Sequence, residues 1–182
     1  MLKTLTKSLS QPLPVIGICA AGSNAGKTTL ITQLIPELAK HGLRVSVIKH
    51  AHHQFDIDHK GKDSYQIREA GAVQTLIASN KRWALMTELA QEPDLDDLIA
   101  KFDNRYADLI LVEGFKQANI PKIEVHRPNL NMPLLATQDA NIVAVACDSA
   151  LNLAHIPVID LNNIAAIAAF IIQHLSLSKQ SA

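Results

Sequence analysis

A glycine-containing segment near the amino terminus has the residue types needed to hold a polyphosphate. Residues 21–28, AGSNAGKT, fit the spacing of a phosphate-binding loop, except that Ala21 takes the place of the first glycine. Small side chains let backbone N–H groups point at phosphate oxygens, and a helix beginning after the loop adds the positive end of its dipole. Lys27 would then neutralise charge on the β- and γ-phosphates, and Thr28 would offer its hydroxyl to Mg²⁺.

A carboxylate at the end of a second apolar run completes a magnesium site in this interpretation. The run Leu109–Val112 is followed by Glu113 and Gly114. Ligands of open parallel sheets bind beyond the carboxyl ends of the strands, so we expect Glu113 to lie opposite Thr28. Glu113 would hold Mg²⁺ through water. The alternative interpretation is a solvated glutamate at a strand end.

The segment that follows the second predicted strand is rich in groups that bind metals or respond to pH. One interpretation is a transition-metal site formed by His50, His52 and His53. A second is a switch-like loop that meets the nucleotide, with Asp56 or Asp58 near its Mg²⁺. The third is a polar surface loop. Three histidines within four positions face one ion only on an irregular backbone.

Apolar runs alternate with helical periodicity, which predicts an α/β fold. The expected architecture is P-loop NTPase-like, with a mainly parallel sheet flanked by helices and a β-hairpin insertion. Pro36 lies inside the first helical pattern and predicts a kink there or an early end of that helix. The predicted strands are 15–20, 44–49, 108–112, 122–127 and 141–147, the predicted helices are 27–41, 63–71, 94–103 and 164–175, and the hairpin pairs 72–79 with 82–87.

Composition excludes several classes of protein. The 182 residues include 17 Lys and Arg and 17 Asp and Glu, so a broad electrostatic grip on nucleic acid or an anionic membrane is not expected. The longest apolar stretch, at 164–172, is too short to span a bilayer. Cys19 and Cys147 lie far apart in apolar runs, which predicts buried thiols. We expect a single nucleotide-binding domain over 15–176, with tails at 1–14 and 177–182.

Several motifs occur together in one order, and their combination resembles a known family. They are residues 21–29, IKHAHH at 48–53, Asp58 with GKDS at 61–64, Arg68 with AGA at 70–72, and VEGFK at 112–116. In this order they are similar to the MobB family of molybdopterin-guanine dinucleotide biosynthesis adapter proteins. The similarity extends from about residue 15 to residue 175.

The resemblance implies a cytoplasmic, homodimeric GTP-binding protein of the P-loop NTPase class with weak GTPase activity. It also implies a partnership with the MobA guanylyltransferase, which joins GMP from GTP to molybdopterin, and contact with molybdopterin or with proteins of molybdoenzyme maturation. On this basis Lys27 and Glu113 are the expected catalytic groups, and Thr28, Glu113 and Asp58 the expected Mg²⁺ ligands. The expected nucleotide contacts are Gly22, Ser23, Asn24, Ala25, Gly26, Lys27, Thr28, Thr29, Lys49, His52, Asp58 and Lys62.

Other functions stay open at this point. Lys49, His52 and Lys62 could also bind an anionic pterin phosphate. A small ATP-dependent kinase or ligase on the same fold is one alternative. A metallochaperone that uses the histidine segment is a second, and an interaction module that binds no nucleotide is a third. Base choice is poorly encoded, because the run NKRW at 80–83 lacks the aspartate of the guanine-reading pattern. Asp148, after a predicted strand, is placed to meet a base edge or to cap a turn.

Overall fold

The apolar runs of the sequence become the strands of a parallel sheet. The computed structural model describes residues 12–51 and 55–177. In chain order the strands are β1 (Val15–Cys19), β2 (Val45–Lys49), β3 (Gln74–Ala78), β4 (Trp83–Thr87), β5 (Leu109–Glu113), β6 (Lys122–His126), β7 (Ile142–Cys147) and β8 (Val158–Asp160). The helices are α1 (Lys27–Lys40), α2 (Asp63–Glu69), α3 (Leu95–Ile99) and α4 (Ile164–His174), with 3₁₀ turns at Pro128–Leu130 and Leu135–Thr137.

The strand order brings the predicted functional residues together at the carboxyl ends of the strands. The order is β2-β5-β1-β6-β7-β8, and every neighbouring pair is parallel. In this register Glu113 at the end of β5 pairs with Ile18 on one side and with Lys49 on the other. The predicted fold class, including the separate antiparallel β3–β4 hairpin, is confirmed.

Helices cover the sheet because their apolar stripes match its apolar faces. One face packs against Leu30, Leu34 and Leu38 of α1 and against Ile167 and Ile171 of α4, all of which are buried. Helix α1 continues four residues beyond Pro36, so the early end allowed by the sequence does not occur. Packing of the stripe on both sides of Pro36 offsets the backbone hydrogen bond that proline cannot donate.

Two elements differ from the sequence prediction. Helix α3 ends at Ile99 rather than near residue 103, because Lys101 and Phe102 donate to carbonyls three residues back and tighten the chain into turns. Strand β8 was not predicted. It has only three residues and lies at the edge of the sheet, where no long apolar run is required.

The described contacts divide the chain into two compact units. The first runs up to His50 and resumes at Leu95, and it contains the parallel sheet. The second is Ala51–Asp94, which contains α2 and the hairpin. The single-domain boundaries at 15 and 176 stay a prediction. Most of the two expected tails lies outside the described residues.

Strand β6 carries charged side chains inside the protein. Lys122 is 1% exposed, and its ammonium donates to the carbonyls of Lys116 and Ala118 and pairs with Asp139 at 2.8 Å. Glu124 is fully buried and accepts the backbone N–H groups of residues 135 and 136 at 2.9 and 2.8 Å. These charges are therefore satisfied by the chain itself, as buried charges must be.

The two cysteines are buried free thiols, as their apolar surroundings predict. Burial, reinforced by the nearby Glu124 carboxylate, raises the pKa of Cys19 to about 12. The thiolate is the reactive form of cysteine, so Cys19 is a packing residue of β1 and not a nucleophile.

Candidate functional site

The loop between β1 and α1 has the geometry of an anion cradle. Asn24 and Gly26 adopt positive φ angles of 61° and 98°, and the left-handed conformation at Gly26 turns the chain directly into the helix. No side chain of the described residues caps the amino terminus of α1, and its first turn contains no acidic residue. The first N–H groups and the positive end of the helix dipole are therefore available to a bound anion.

Lys27 folds back over this loop. Its ammonium donates to the carbonyl of Gly22, five positions earlier in the chain, at 3.1 Å. A single neutral carbonyl satisfies only part of the capacity of an ammonium group, which has three donors. Lys27 is thus held at the mouth of the loop with donors to spare for a phosphate.

Thr28 and Glu113, two of the predicted Mg²⁺ ligands, are in contact. The Thr28 hydroxyl donates to Oε1 of Glu113 at 2.8 Å, joining the first turn of α1 to the last residue of β5. The Glu113 side chain is only 12% exposed. A hydroxyl and a carboxylate in contact supply the hard oxygen ligands that Mg²⁺ prefers, so the donor set fits this ion.

Lys49 reaches the same pair from the end of β2. Its ammonium lies 3.5 Å from Thr28 Oγ1 and 3.5 Å from Glu113 Oε2. Thr28, Lys49 and Glu113, which are far apart in the chain, therefore meet at the carboxyl ends of the strands. In the structure Lys49 contacts the two residues that the sequence predicts as Mg²⁺ ligands. Its expected contact with the nucleotide stays a prediction.

Packing explains why two of the sequence motifs occur together. The ring of His50 stacks on Phe115, with centroids 4.6 Å apart and planes 24° apart. Gly114 precedes Phe115 with a φ of 97°, and a Cβ placed there would lie 2.7 Å from the His50 Cβ. The glycine of the VEGFK motif is therefore required by the histidine that follows β2.

Arg127 is a site residue that the sequence analysis missed. It follows β6, and its Nε donates to the carbonyl of Ala25 in the loop at 3.0 Å, while its Nη1 pairs with Asp148 after β7. A cleft beside the loop is lined in part by Gly22, Arg127 and Met132. The available signal was position, since Arg127 directly follows a buried strand at the same edge as Glu113.

Comparison with known proteins identifies the family. Residues 15–148 match the family described as "MobB: Molybdopterin guanine dinucleotide synthesis protein B". The chain is 45% identical over 163 residues to the "Molybdopterin-guanine dinucleotide biosynthesis adapter protein" of Haemophilus influenzae, covering 90% of each chain. The protein of the same name from Escherichia coli is 46% identical over 157 residues, covering 85% of this chain and 89% of that one. The chain belongs to the MobB family.

A solved MobB structure extends this agreement to three dimensions. The crystal structure titled "molybdopterin-guanine biosynthesis protein B (mobB)" superposes with a TM-score of 0.70 at 30% identity. It covers 90% of this chain and 99% of that chain. The resemblance to the MobB family drawn from the sequence motifs is therefore confirmed.

Asp58 and Lys62, both expected nucleotide contacts, lie in the second unit of this MobB chain. The Asp58 carboxylate accepts from Arg68 of α2 at 3.2 Å and is almost fully buried. That hydrogen bond, more than any other contact, raises the pKa of Arg68 above its ordinary value. Asp58 thus stabilises its own unit, and its metal and nucleotide contacts, like those of Lys62, stay predictions.

The histidine segment is described only in part. His52 and His53 lie outside the described residues, so the transition-metal site and the expected role of His52 stay predictions. Within residues 12–51 and 55–177, no group of three or more His, Cys, Asp or Glu side chains could hold a metal. None of the helices in these ranges is long and apolar enough to cross a membrane.

Proposed function

We propose that this MobB-family chain binds Mg²⁺-GTP and acts as an adapter in the biosynthesis of molybdopterin-guanine dinucleotide. The adapter role comes from its relatives, which carry that name in Haemophilus influenzae and Escherichia coli. The main observation in favour of nucleotide binding is the contact between Thr28 and Glu113, beside a loop that leads into a helix without a side-chain cap. A structural strand-to-helix turn has no need of a hydroxyl–carboxylate pair at this position.

In this proposal each residue of the candidate site has a defined role. The N–H groups of residues 22–29 surround the phosphates, and Lys27 moves its ammonium from the Gly22 carbonyl to a phosphate oxygen. Thr28 and Glu113 hold the divalent ion, with Glu113 acting through water. When bound, Mg²⁺ neutralises charge on the β- and γ-phosphates. Lys27 and Glu113 remain the groups expected to support weak hydrolysis.

Guanine selection is assigned to Asp148. The Arg127 guanidinium contacts both the Asp148 carboxylate and the loop carbonyl of Ala25. Arg127 therefore holds the Asp148 carboxylate close to the proposed phosphate site. A carboxylate accepts hydrogen bonds from the ring N–H and the exocyclic amine of guanine, whereas the corresponding ring nitrogen of adenine is itself an acceptor. This chemistry favours GTP over ATP.

The proposed partners are the MobA guanylyltransferase and a second copy of this chain. The dimer is supported by exposed apolar side chains on the β3–β4 hairpin and just before it: Val73, Leu76 and Trp83 are 74, 59 and 65% exposed. Exposed apolar clusters of this kind mark interaction surfaces. A sedimentation measurement that finds only monomer at micromolar concentration would contradict the dimer. We also place the protein in the reducing cytoplasm, in keeping with its two unpaired cysteines.

Calorimetric titration with GTP and ATP in the presence of Mg²⁺ tests the nucleotide proposal. Wild type should prefer GTP, and Lys27→Ala should weaken GTP binding by at least about a hundredfold, ~2.7 kcal/mol. Lys40→Ala, which removes an exposed lysine at the other end of α1, should leave GTP affinity unchanged. Asp148→Asn should reduce the preference for GTP.

The same titration separates the alternatives. A preference for ATP, with turnover when an acceptor is added, would support the small kinase or ligase instead. Equal GTP affinity of the wild type and Lys27→Ala would contradict the phosphate loop altogether and favour an interaction module. Tight Ni²⁺ or Zn²⁺ binding that His52→Ala abolishes would support the metallochaperone. Pterin phosphate binding is tested with Lys49→Ala, and unchanged affinity would contradict it.

A further inference from the structure

Lys49 occupies the position of a counter-ion at the magnesium pair. Its ammonium is equidistant, at 3.5 Å, from Thr28 Oγ1 and Glu113 Oε2. The other carboxylate oxygen, Oε1, accepts the Thr28 hydroxyl. One positive charge therefore already faces the oxygens that a divalent cation would use.

The contacts of Lys49 are loose. A charge-assisted N–H···O bond is typically about 2.7–2.9 Å long, so both 3.5 Å separations are long. The Lys49 side chain is 57% exposed, whereas the Glu113 side chain is 12% exposed. Lysine has a flexible four-carbon stem, so the ammonium can leave while the carboxylate stays in place.

We propose that Lys49 is a displaceable counter-ion that competes with a divalent cation for Thr28 and Glu113. An ammonium and a metal ion repel each other at this separation, so metal binding requires Lys49 to withdraw. A bound phosphate offers the withdrawn ammonium a new partner. Lys49 thus disfavours the metal alone and couples metal binding to phosphate binding. This inference rests on the proposed Mg²⁺-nucleotide site.

Binding of Mn²⁺ alone, followed by electron paramagnetic resonance without nucleotide, tests the proposal. Lys49→Met should bind Mn²⁺ about tenfold more tightly than wild type, because the competing charge is gone. Lys40→Met removes the same charge at the far end of α1, about 20 Å away, and should bind Mn²⁺ as wild type does. Adding Glu113→Gln to Lys49→Met should abolish the gain.

Lys49→Gln, which keeps a polar side chain, should reproduce the gain and so exclude an effect of the methionine itself. Adding GTP should raise Mn²⁺ affinity by a smaller factor in Lys49→Met than in wild type, since the coupling is lost. Mn²⁺ affinity equal to or below wild type in Lys49→Met would overturn the proposal, as would no Mn²⁺ binding by either protein. The metal titration contains no nucleotide, so its failure is distinct from a failure of GTP binding in the Lys27→Ala experiment.

Discussion

Two groups of charged side chains in the unit that contains the parallel sheet are held in opposite ways. At the carboxyl ends of the strands, the Lys27 ammonium contacts one carbonyl, and the Lys49 ammonium lies 3.5 Å from a hydroxyl and from a carboxylate oxygen. Inside β6, Lys122 has three close partners and Glu124 has two backbone donors. Charges that the chain saturates support the fold, whereas charges with unused capacity are available to a ligand.

The difference has an energetic origin. A charge removed from water is tolerated only when protein groups replace its hydration, so the lysine inside β6 must be fully paired. A charge at the sheet edge retains its water until a ligand displaces it. Stability and ligand affinity should therefore depend on different lysines. The titration with Lys27→Ala tests the affinity, and the three variants below test the stability.

The largest expected effect comes from the buried group. Lys122→Ala should lower the free energy of unfolding by about 3 kcal/mol, because it leaves the Asp139 carboxylate and two carbonyls without their donor. Chemical denaturation measures the loss. Lys101→Ala, at an exposed position, is the control and should change stability by less than about 0.5 kcal/mol. A loss below about 1 kcal/mol in Lys122→Ala would contradict the contrast between the two groups.

Gly114 extends the comparison to the backbone, because the turn after β5 constrains the chain at this end of the sheet. Gly114→Ala should cost about 2 kcal/mol, from a positive φ and a Cβ within 2.7 Å of His50. Gly61→Ala has a similar φ of 91° but meets nothing within 4 Å, so it should cost only about 1 kcal/mol.

The difference between these two glycine variants isolates the contact with His50. Thermal denaturation of both variants under identical conditions measures it. Equal losses would show that the close approach of His50 adds nothing to the cost of a side chain at Gly114.

The smallest expected effect is the pH dependence that Asp139, the partner of Lys122, gives to the free energy of unfolding. Burial raises the pKa of Asp139, but hydrogen bonds from Lys122 and Asn141 outweigh it and hold the pKa below the ordinary value. A carboxyl whose pKa is lower in the folded state contributes stability above its unfolded pKa of about 4 and loses it as the pH falls through the folded pKa.

Asp139→Asn should therefore flatten the acid side of the stability curve, by less than about 1 kcal/mol because the side chain is partly exposed. Denaturation between about pH 2 and pH 7 measures this slope. The exposed Asp97→Asn should keep the wild-type slope, and a wild-type slope in Asp139→Asn would contradict the assigned pairing.

Local patterns predicted most of the elements correctly. Apolar runs gave β1, β5 and β7, and the turn residues between 79 and 82 gave the hairpin, because these signals lie within a few residues of chain. Strand β8 escaped prediction because a short edge strand carries no such pattern. The continuation of α1 past Pro36 depends on packing against the sheet, which the local sequence does not contain.

The candidate site was predictable only in part. The loop and Glu113 carry a spacing or a strand-end position that can be read directly. Arg127 also follows a strand, but that position alone does not name its partners, and its contacts appear only when β6 and β7 place it between Ala25 and Asp148. The contacts of Lys49 with Thr28 and Glu113 were likewise not anticipated, because a lysine can reach phosphate, carboxylate or hydroxyl from the same backbone position. Its expected contact with phosphate stays a prediction.

The sequence by itself determined the phosphate loop, the parallel α/β architecture and the family, since each depends on residue types at short, fixed spacing. Only the tertiary structure decided which charges are saturated and which are available. Thr28 and Glu113 are 85 residues apart, and Arg127 and Ala25 are 102 apart. Contacts over such distances depend on strand order, and strand order is a property of the whole folded sheet.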